Sequence, residues 1–366
     1  MRLPAEWEQQ SGVQLTWPDE STPWYELEKV QECYVRIASA IQRFEQVLVV
    51  TADVAAAKAR IREILDGFGG SGDGFGNPCA SGAAALDLDL DRIQWQECPV
   101  NDTWARDHGG IAVHGDAGEK YLYDFVFNGW GLKWPSNLDN QLTKTIFFDN
   151  AFAEDVQCVD MRPYVLEGGS IDCDGAGTML ATSECLLSVN RNEYLAQEEI
   201  EGELKHAFGL ERILWLDHGQ VSGDDTDSHV DILARFCDRE TIAYLQCTDP
   251  DDPDFAELQA MEAQLEDFRT LDGKPYDLVP LPKPEQQFLD DYPLPASYAN
   301  FLILNGAVLV PGVGKPTDEI ARERLRAAFP GREVLVIDCT PLLSGHGGLH
   351  CITMQFPAGW LNRSGK

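Results

Sequence analysis

The sequence predicts an α/β protein of one domain, in which a unit of two strands, a helix and a third strand recurs about five times. Three observations predict this class. The periodic segments keep that order along the whole chain, their spacing is too irregular for a solenoid, and chemically suggestive polar residues occupy an equivalent place in the units. Because no convincing boundary interrupts the pattern, we expect residues 1–366 to form a single domain.

The unit near the C-terminus shows the pattern most clearly. Residues 301–310, FLILNGAVLV, are two apolar runs joined by Asn305-Gly306, the dipeptide best suited to a two-residue hairpin turn. A helical pattern follows at 317–329. The segment 333–338, EVLVID, then reads as a buried strand, which completes the order strand, strand, helix, strand.

The same order occurs upstream. Hairpin, helix and strand patterns lie at 232–247, 254–268 and 276–282, again at 170–182, 198–209 and 213–217, and a further hairpin lies at 109–127. An amphipathic segment at 25–44 leads into the apolar run 47–50. We therefore expect the N-terminal part to complete a unit whose hairpin lies at the C-terminus.

One segment does not fit the units. Residues 68–91 are rich in Gly, Ser, Ala and Asp and have neither helical nor strand periodicity. We interpret them as a surface insertion and not as a linker between domains.

Charge and cysteine content restrict the function. The net charge of −33 disfavours nucleic acids and anionic membranes as partners and favours a small cation, although solubility alone would also account for much of it. The ten cysteines include no C-x-x-C pair, so neither a disulfide framework nor a zinc finger is expected.

No secretory signal is visible, which predicts a cytoplasmic protein. A homo-oligomer is compatible with the sequence, but no interface is legible in it.

The polar residues lie just ahead of, or within, the first strand of each hairpin. They are Asp107, Glu167, the pair His229 and Asp231, Asn300, and Cys351. Each alone has an ordinary interpretation as a turn residue, a surface pair or a buried thiol. Together they indicate a circular arrangement that directs them to one centre, with His229 and Asp231 side by side on a strand face.

These residue types support thiolate chemistry on a guanidinium group. Cys351 with His229 is the minimum for a nucleophilic thiolate, and Glu167 could hold the imidazole. Asp107 and Asp231 could grip opposite edges of a planar guanidinium. Trp104 either stacks on its face or packs in the core, and the sequence does not decide between the two.

In this hypothesis Cys351 attacks the guanidinium carbon, ammonia leaves, and His229 activates a water that hydrolyses the amidino adduct. Glycines before Cys351 would let a substrate approach closely, and no metal or organic cofactor is needed. Three other functions remain open. They are a metal hydrolase using His229, Asp231, His350 and Cys351, a non-catalytic binder of polyamine-like cations, and an amidinotransferase.

Several motifs resemble agmatine deiminases of the bacterial peptidylarginine-deiminase-like group. They are LPAEWEQQSGVQLTWP, NDTWARDHG, PSNLDNQ, EGGSIDCDGAGT, GDDTDSHVDILARF, SYANF and GGLHCITMQ. The resemblance spans almost the whole chain. It implies the guanidino-modifying (pentein) fold, a five-bladed α/β propeller of ββαβ units with pseudo-fivefold symmetry. It also implies hydrolysis of agmatine to N-carbamoylputrescine and ammonia, on the way to putrescine and the polyamines.

The resemblance also assigns roles to residues of this chain. It implies that Cys351 is the nucleophile and His229 the general acid/base, with Glu167 as the acidic partner in the site. Asp107 and Asp231 then bind the guanidinium, and Asn300 makes a further contact.

The far end of the substrate is not assigned by these motifs. Many relatives read GGGNIHC and R-D-x-G-P where this chain has GHGGLHC and RDHGG. Agmatine, free arginine and peptidyl arginine therefore remain open as substrates, with peptidylarginine deiminase as the alternative activity. Residues 128–140 are a candidate wall of that part of the site.

Overall fold

The structure is a computed structural model and describes residues 1–69 and 86–362. Most of the predicted insertion at 68–91 therefore lies outside the described residues. The strands are β1 (Gln10–Thr16), β2 (Gln46–Thr51), β3 (Gln94–Glu97), β4 (Ile111–His114), β5 (Lys120–Val126), β6 (Val156–Val165), β7 (Ile171–Cys173), β8 (Thr178–Thr182), β9 (Arg212–Leu216), β10 (Ala234–Phe236), β11 (Thr241–Gln246), β12 (Asp277–Pro282), β13 (Gln287–Leu289), β14 (Tyr292–Leu294), β15 (Leu302–Ile303), β16 (Ala307–Gly312), β17 (Glu333–Asp338) and β18 (Thr353–Pro357).

Helices alternate with these strands. They are α1 (Leu27–Gln42), α2 (Val54–Gly69), α3 (Ala105–His108), α4 (Gly129–Leu132), α5 (Asp139–Phe148), α6 (Ser183–Leu186), α7 (Gln197–Phe208), α8 (Phe255–Asp267), α9 (Thr317–Ala328) and α10 (Thr340–Leu343). Short 3-10 helices span Leu90–Arg92, Gly168–Ser170 and Val230–Ile232. No helix in the described ranges is long and apolar enough to cross a membrane.

Four sheets repeat one connectivity, and each begins with an antiparallel hairpin. After the hairpin, one or two helices return the chain to a third strand that pairs parallel with the second. The sheets are β4-β5-β6, β7-β8-β9, β10-β11-β12 and β15-β16-β17. The predicted order of elements is therefore confirmed in these four units, and the mixed α/β class with it.

The fifth sheet joins the two ends of the chain. β18 pairs antiparallel with β1, with Thr353 opposite Leu15, and β1 pairs parallel with β2 after α1. This confirms that the N-terminal part completes a unit begun at the C-terminus. The sheet also carries β3 beside β2, an addition that the sequence pattern did not predict.

Helix α9 illustrates why these segments fold as they do. Asp318 and Glu319 in its first turn interact favourably with the helix dipole. Ala321 and Leu325, one turn apart, are fully buried where the helix packs against β12, β16 and β17. Burial of such a leucine contributes about 1.5–3 kcal/mol. The helix ends before Pro330, which cannot continue it.

The turn between β15 and β16 has the predicted length but uses its two residues differently. Neither Asn305 nor Gly306 has the positive φ that a primed hairpin turn requires. Asn305 instead pairs with the backbone of Gln10, accepting from its N–H at 2.9 Å and donating to its carbonyl at 3.1 Å. A side chain at Gly306 would meet the ring of Phe44 at 2.8 Å. Contacts with the N-terminal segment therefore account for the Asn-Gly pair.

Candidate active site

The predicted site residues immediately precede the first strands of the five repeating sheets. Asp107 precedes β4, Glu167 precedes β7, His229 and Asp231 precede β10, Asn300 precedes β15, and Cys351 precedes β18. All of them are buried. The structure brings them to one place, because equivalent strand starts from different sheets meet there.

Gly169 marks the centre of this convergence. A methyl group built on its Cα would lie 2.6 Å from His229 Nδ1, 2.7 Å from Asp107 Oδ1 and 3.2 Å from Asp231 Oδ2. Such distances leave no room for a side chain, so glycine is required for these three groups to approach each other.

A cavity of about 780 Å³, open to solvent, lies in front of these groups. Cys351, His229, Asp107 and Asp231 line it together with Trp104. Further walls come from Trp24, Asp102, Trp130, Trp134, Asp224 and Asp225. Aspartates and tryptophans thus dominate the walls, which suits a cation with a flat face.

Cys351 lies beside an amide donor and a carboxylate. Asn300 Nδ2 donates to its Sγ at 3.2 Å, and Asp231 Oδ2 is 3.6 Å from the sulfur. Burial raises the pKa of the thiol well above its ordinary value, and the charges of Asp231 and Asp107 raise it further. The thiol is therefore protonated at neutral pH, and a cation held by the two aspartates would favour the thiolate.

His229 lies between two carboxylates. Its Nδ1 is 3.6 Å from Asp107 Oδ1 and its Nε2 is 3.7 Å from Glu167 Oε2, and neither ring nitrogen has a hydrogen-bond partner among the described residues. Burial lowers the pKa of the imidazole, but Asp107, Cys185 and Glu167 raise it by more, so that the pKa lies well above its ordinary value. The imidazole of His229 is therefore protonated at neutral pH.

The two aspartates have different partners. Asp107 accepts from the indole N–H of Trp130 at 2.9 Å and from the backbone N–H of Gly169 at 3.0 Å. Burial raises its pKa to about 6, with His229 opposing and Asp231 adding to the shift. Asp231 accepts from His350 Nδ1 at 2.7 Å. Burial raises its pKa as well, but His350 lowers it by more, and the net shift is downward.

Glu167 is held by an arginine. Arg191 Nε donates to Glu167 Oε2 at 2.7 Å, and Arg191 also donates to Asp227 at 2.6 Å. Burial raises the pKa of Glu167, whereas Arg191 and His229 lower it by more, so the carboxylate stays ionised. The thiol of Cys185 lies 3.9 Å from the same oxygen.

Two predicted local geometries are wrong. His229 and Asp231 do not lie side by side on a strand, because a turn closed by the Leu233 N–H to Val230 carbonyl bond makes residues 230–232 a 3-10 helix. The glycines before Cys351 do not open a path for substrate. A methyl group at Gly347 would lie 2.3 Å from the Trp104 ring.

The same holds for the other glycines of this run. A methyl group at Gly345 would lie 2.7 Å from Trp24, and one at Gly348 would lie 2.4 Å from Asn300 Oδ1. The absence of side chains therefore lets the protein's own indoles and amide pack against the backbone.

Trp104 combines the two interpretations that the sequence left open. It is 5 % exposed and packs on Trp24 with ring centroids 5.2 Å apart. It also lines the cavity. The predicted wall at 128–140 likewise contributes Trp130 and Trp134 to the lining.

Sequence reasoning missed the residues that support this site. They are Glu6, Trp130, Cys185 and Arg191, together with His350, which had been considered only as a metal ligand. His350 has the signal of being adjacent to Cys351, and Trp130 lies in the predicted wall. Glu6, Cys185 and Arg191 carry no comparable signal, since their roles depend on long-range packing.

The four metal ligands considered from the sequence do not form a cluster in the described part of the chain. The compact group of ligand atoms there is Glu167, Cys185 and His229, with all of these atoms within 4.8 Å of one another. His350 instead uses both ring nitrogens on carboxylates, Asp231 and Glu6.

The fold and the site define a class, a mixed α/β protein with a buried cysteine, histidine and paired carboxylates around one acid-lined cavity. Comparison with known proteins identifies the family. The profile of the Porphyromonas-type peptidyl-arginine deiminases matches residues 2–357. The chain belongs to this family.

Named relatives agree with this membership. The agmatine deiminase of Pseudomonas syringae pv. tomato is 34% identical over 382 aligned residues, which cover 97% of this chain and 95% of the relative. A substrate-bound cysteine-to-serine variant of the C. jejuni agmatine deiminase has a TM-score of 0.83 at 33% identity, covering 98% of this chain and 96% of that one. A structure described provisionally as the arginine deiminase of Porphyromonas gingivalis has a TM-score of 0.87 at 44% identity, covering 98% and 99%.

Proposed function

We propose that this protein is an agmatine deiminase, which hydrolyses agmatine to N-carbamoylputrescine and ammonia in putrescine biosynthesis. The observation that carries the proposal is the convergence of Cys351, His229, Asp107 and Asp231 on one cavity around Gly169. Relatives of similar length named agmatine deiminases support the substrate.

The reaction begins with binding of the guanidinium by Asp107 and Asp231. Its positive charge offsets the repulsion that these carboxylates exert on a thiolate, and Cys351 releases its proton to the solvent that reaches the cavity. The sulfur then attacks the guanidinium carbon, and a carbon–sulfur bond forms. The protonated His229 donates to one nitrogen, the carbon–nitrogen bond breaks, and ammonia leaves.

The second half of the reaction restores the enzyme. The neutral His229, held by Glu167, takes a proton from a water molecule that attacks the amidino carbon. The carbon–sulfur bond breaks, the hydroxyl proton of the adduct returns to the sulfur and restores the Cys351 thiol, and the product carries a carbonyl oxygen where a nitrogen had been. Asn300, 3.2 Å from the sulfur, donates to the thiolate at both stages.

The charge of the cavity favours agmatine over arginine. Five aspartates line the cavity, and neighbouring carboxylates add to the effect of burial, which raises the pKa of Asp102 to about 7 and also raises the pKa of Asp225. A distal ammonium group would relieve this crowding. The carboxylate of free arginine would add to it, and no basic side chain lines the cavity in the described residues apart from the two histidines His229 and His346.

We further propose that the five repeating sheets form a single five-bladed propeller, with the site on its axis. Their shared connectivity and the position of one site residue or pair ahead of each first strand support this arrangement. A location in the cytoplasm remains a prediction.

The test is product analysis with agmatine, free arginine and a blocked arginine peptide assayed in parallel. We expect ammonia and the ureido product from agmatine, with kcat/KM at least roughly tenfold above that of the other two. A preference for the peptide would assign peptidylarginine deiminase activity instead. Cys351→Ser should abolish turnover and keep the folded spectrum. Binding of agmatine without turnover by the unmodified protein would contradict the proposal.

A further inference from the structure

The carboxylate of Asp231 contacts His350, and the ring of His350 lies between Asp231 and Glu6. His350 Nδ1 is 2.7 Å from Asp231 Oδ2, and His350 Nε2 is 2.8 Å from Glu6 Oε2. All three side chains are buried. Both ring nitrogens lie within hydrogen-bond distance of a carboxyl oxygen, so the ring links Asp231 to Glu6.

The contact fixes which oxygen of Asp231 is available to a ligand. Asp231 Oδ2 is used by His350, whereas Oδ1 is buried without a hydrogen-bond partner in the described chain. A buried carboxylate oxygen without a donor is unfavourable unless a ligand supplies one. A guanidinium bound at this aspartate would supply it.

Glu6 accepts two hydrogen bonds besides its contact with His350. Its Oε1 accepts from the backbone N–H of Ile303 at 2.7 Å, and its Oε2 accepts from Arg235 at 2.7 Å. Burial raises the pKa of Glu6, but Arg235 and His350 lower it by more, so the carboxylate is ionised. It lies in the N-terminal segment, 344 residues away from His350 in sequence.

The chain of contacts crosses the wall between two cavities. Asp231 and Cys351 line the cavity in which we place the substrate, whereas Glu6 and His350 line a second cavity of about 650 Å³. Asp231 therefore faces the substrate, and its supports lie on the opposite side of the wall.

From this geometry we infer that Glu6, acting through His350, is a positioning residue that fixes Oδ2 of Asp231 and leaves its Oδ1 directed at the guanidinium. The inference rests on the proposed function and deepens it. Glu6 thereby takes part in substrate binding without touching the substrate.

The test uses two substitutions of His350, each of which replaces the ring by an amide that keeps a donor near the place of one ring nitrogen. In His350→Asn the amide nitrogen stands near the place of Nδ1 and can still donate to Asp231. In His350→Gln it stands near the place of Nε2 and faces Glu6. Both variants are measured for KM, kcat and the pH dependence of kcat/KM with agmatine.

We expect KM to rise more than kcat falls, because Asp231 binds the guanidinium in both the ground state and the transition state. His350 lowers the pKa of Asp231, so its loss should raise that pKa. The acid limb of the pH profile of kcat/KM should therefore move to higher pH by about one unit or more in His350→Gln and by less in His350→Asn, which keeps a donor to Asp231. The charged and titratable groups that face Asp231 besides His350 are Asp107, His229, Arg235, Arg106 and Cys351.

Thr353→Val is the matched control, since it removes a buried 2.9 Å hydrogen bond to the His350 carbonyl and leaves the ring contacts in place. It should lower the melting temperature with no shift of the acid limb. An unchanged acid limb and unchanged KM in both His350 variants would overturn the inference. If the unmodified enzyme does not turn over agmatine, the proposed function fails instead.

A measurement that keeps His350 covers the case in which its variants do not fold. Glu6→Gln keeps the ring of His350 and should raise KM for agmatine more than it lowers kcat, because a neutral amide holds His350 Nε2 less strongly than a carboxylate does. An unchanged KM in Glu6→Gln would overturn the inference.

Discussion

Replacement of Trp130 by phenylalanine tests whether the indole N–H holds Asp107 in its charged form. The indole donates to Asp107 Oδ2 at 2.9 Å, and both side chains are buried. Phenylalanine keeps an aromatic ring against Phe127, whose centroid lies 4.9 Å from that of Trp130, but it has no donor. The substitution therefore removes one hydrogen bond to a buried carboxylate.

The expected size follows from that bond. A hydrogen bond to a charged group contributes about 1.5–3 kcal/mol, and about 1.4 kcal/mol corresponds to a factor of ten. We expect kcat/KM for agmatine to fall by roughly 10- to 100-fold. The donor stabilises the ionised acid, so its loss raises the pKa of Asp107 above its value of about 6. The acid limb of the pH profile of kcat/KM should therefore move to higher pH by about one to two units. The fall in kcat/KM should be largest at low pH.

The assay is the initial rate of ammonia release at low agmatine concentration across the pH range. Trp95→Phe is the matched control, because its indole also donates a hydrogen bond, at 3.0 Å to the Leu90 carbonyl, outside the site. It should leave kcat/KM and the pH profile unchanged. A loss in Trp130→Phe that is the same at every pH, or smaller than about twofold, would refute the reasoning.

Further predictions concern the rest of the site. Gly169→Ala should lower kcat by about 100-fold and should also lower the melting temperature, because the methyl group displaces the buried His229; a normal kcat would contradict the geometry. Arg191→Met should destabilise the protein by about 3–5 kcal/mol in chemical unfolding, since it leaves Glu167 buried and unpaired; unchanged stability would show that the pair is dispensable. At neutral pH the thiolate absorbance of the free enzyme should not exceed that of Cys351→Ser, since burial beside two aspartates raises the pKa of the thiol; an excess would disprove this. Dialysis against a chelator should leave kcat unchanged, and a loss restored by metal would favour a metal hydrolase.

The order of elements could be read from the sequence because it is encoded locally. α9 and β17 were predicted almost to the residue, since caps, prolines and apolar periodicity all lie within the segments concerned. The hairpin β13-β14 was not predicted. Its strands have three residues each, too few to show an alternating pattern, and Asp290 between them adopts a left-handed conformation at a position where the sequence has neither glycine nor asparagine.

The site was predictable for a different reason. Asp107, Glu167, His229 and Cys351 each precede a first strand, so a regular fold brings them together from positions that the sequence shows. Their supports follow no such rule. Arg191 reaches Glu167 from a loop after α6, and Glu6 reaches His350 from the other end of the chain, so only the packed structure reveals these pairs.

The pairing of β18 with β1 has a consequence for biosynthesis. Among the described strands β1 is synthesised first and β18 last, so β1 must wait for its partner, and the proposed nucleophile Cys351 is synthesised just before β18. A polypeptide that stops before Cys351 lacks both this residue and β18. The proposed site is therefore complete only when β18 has paired with β1.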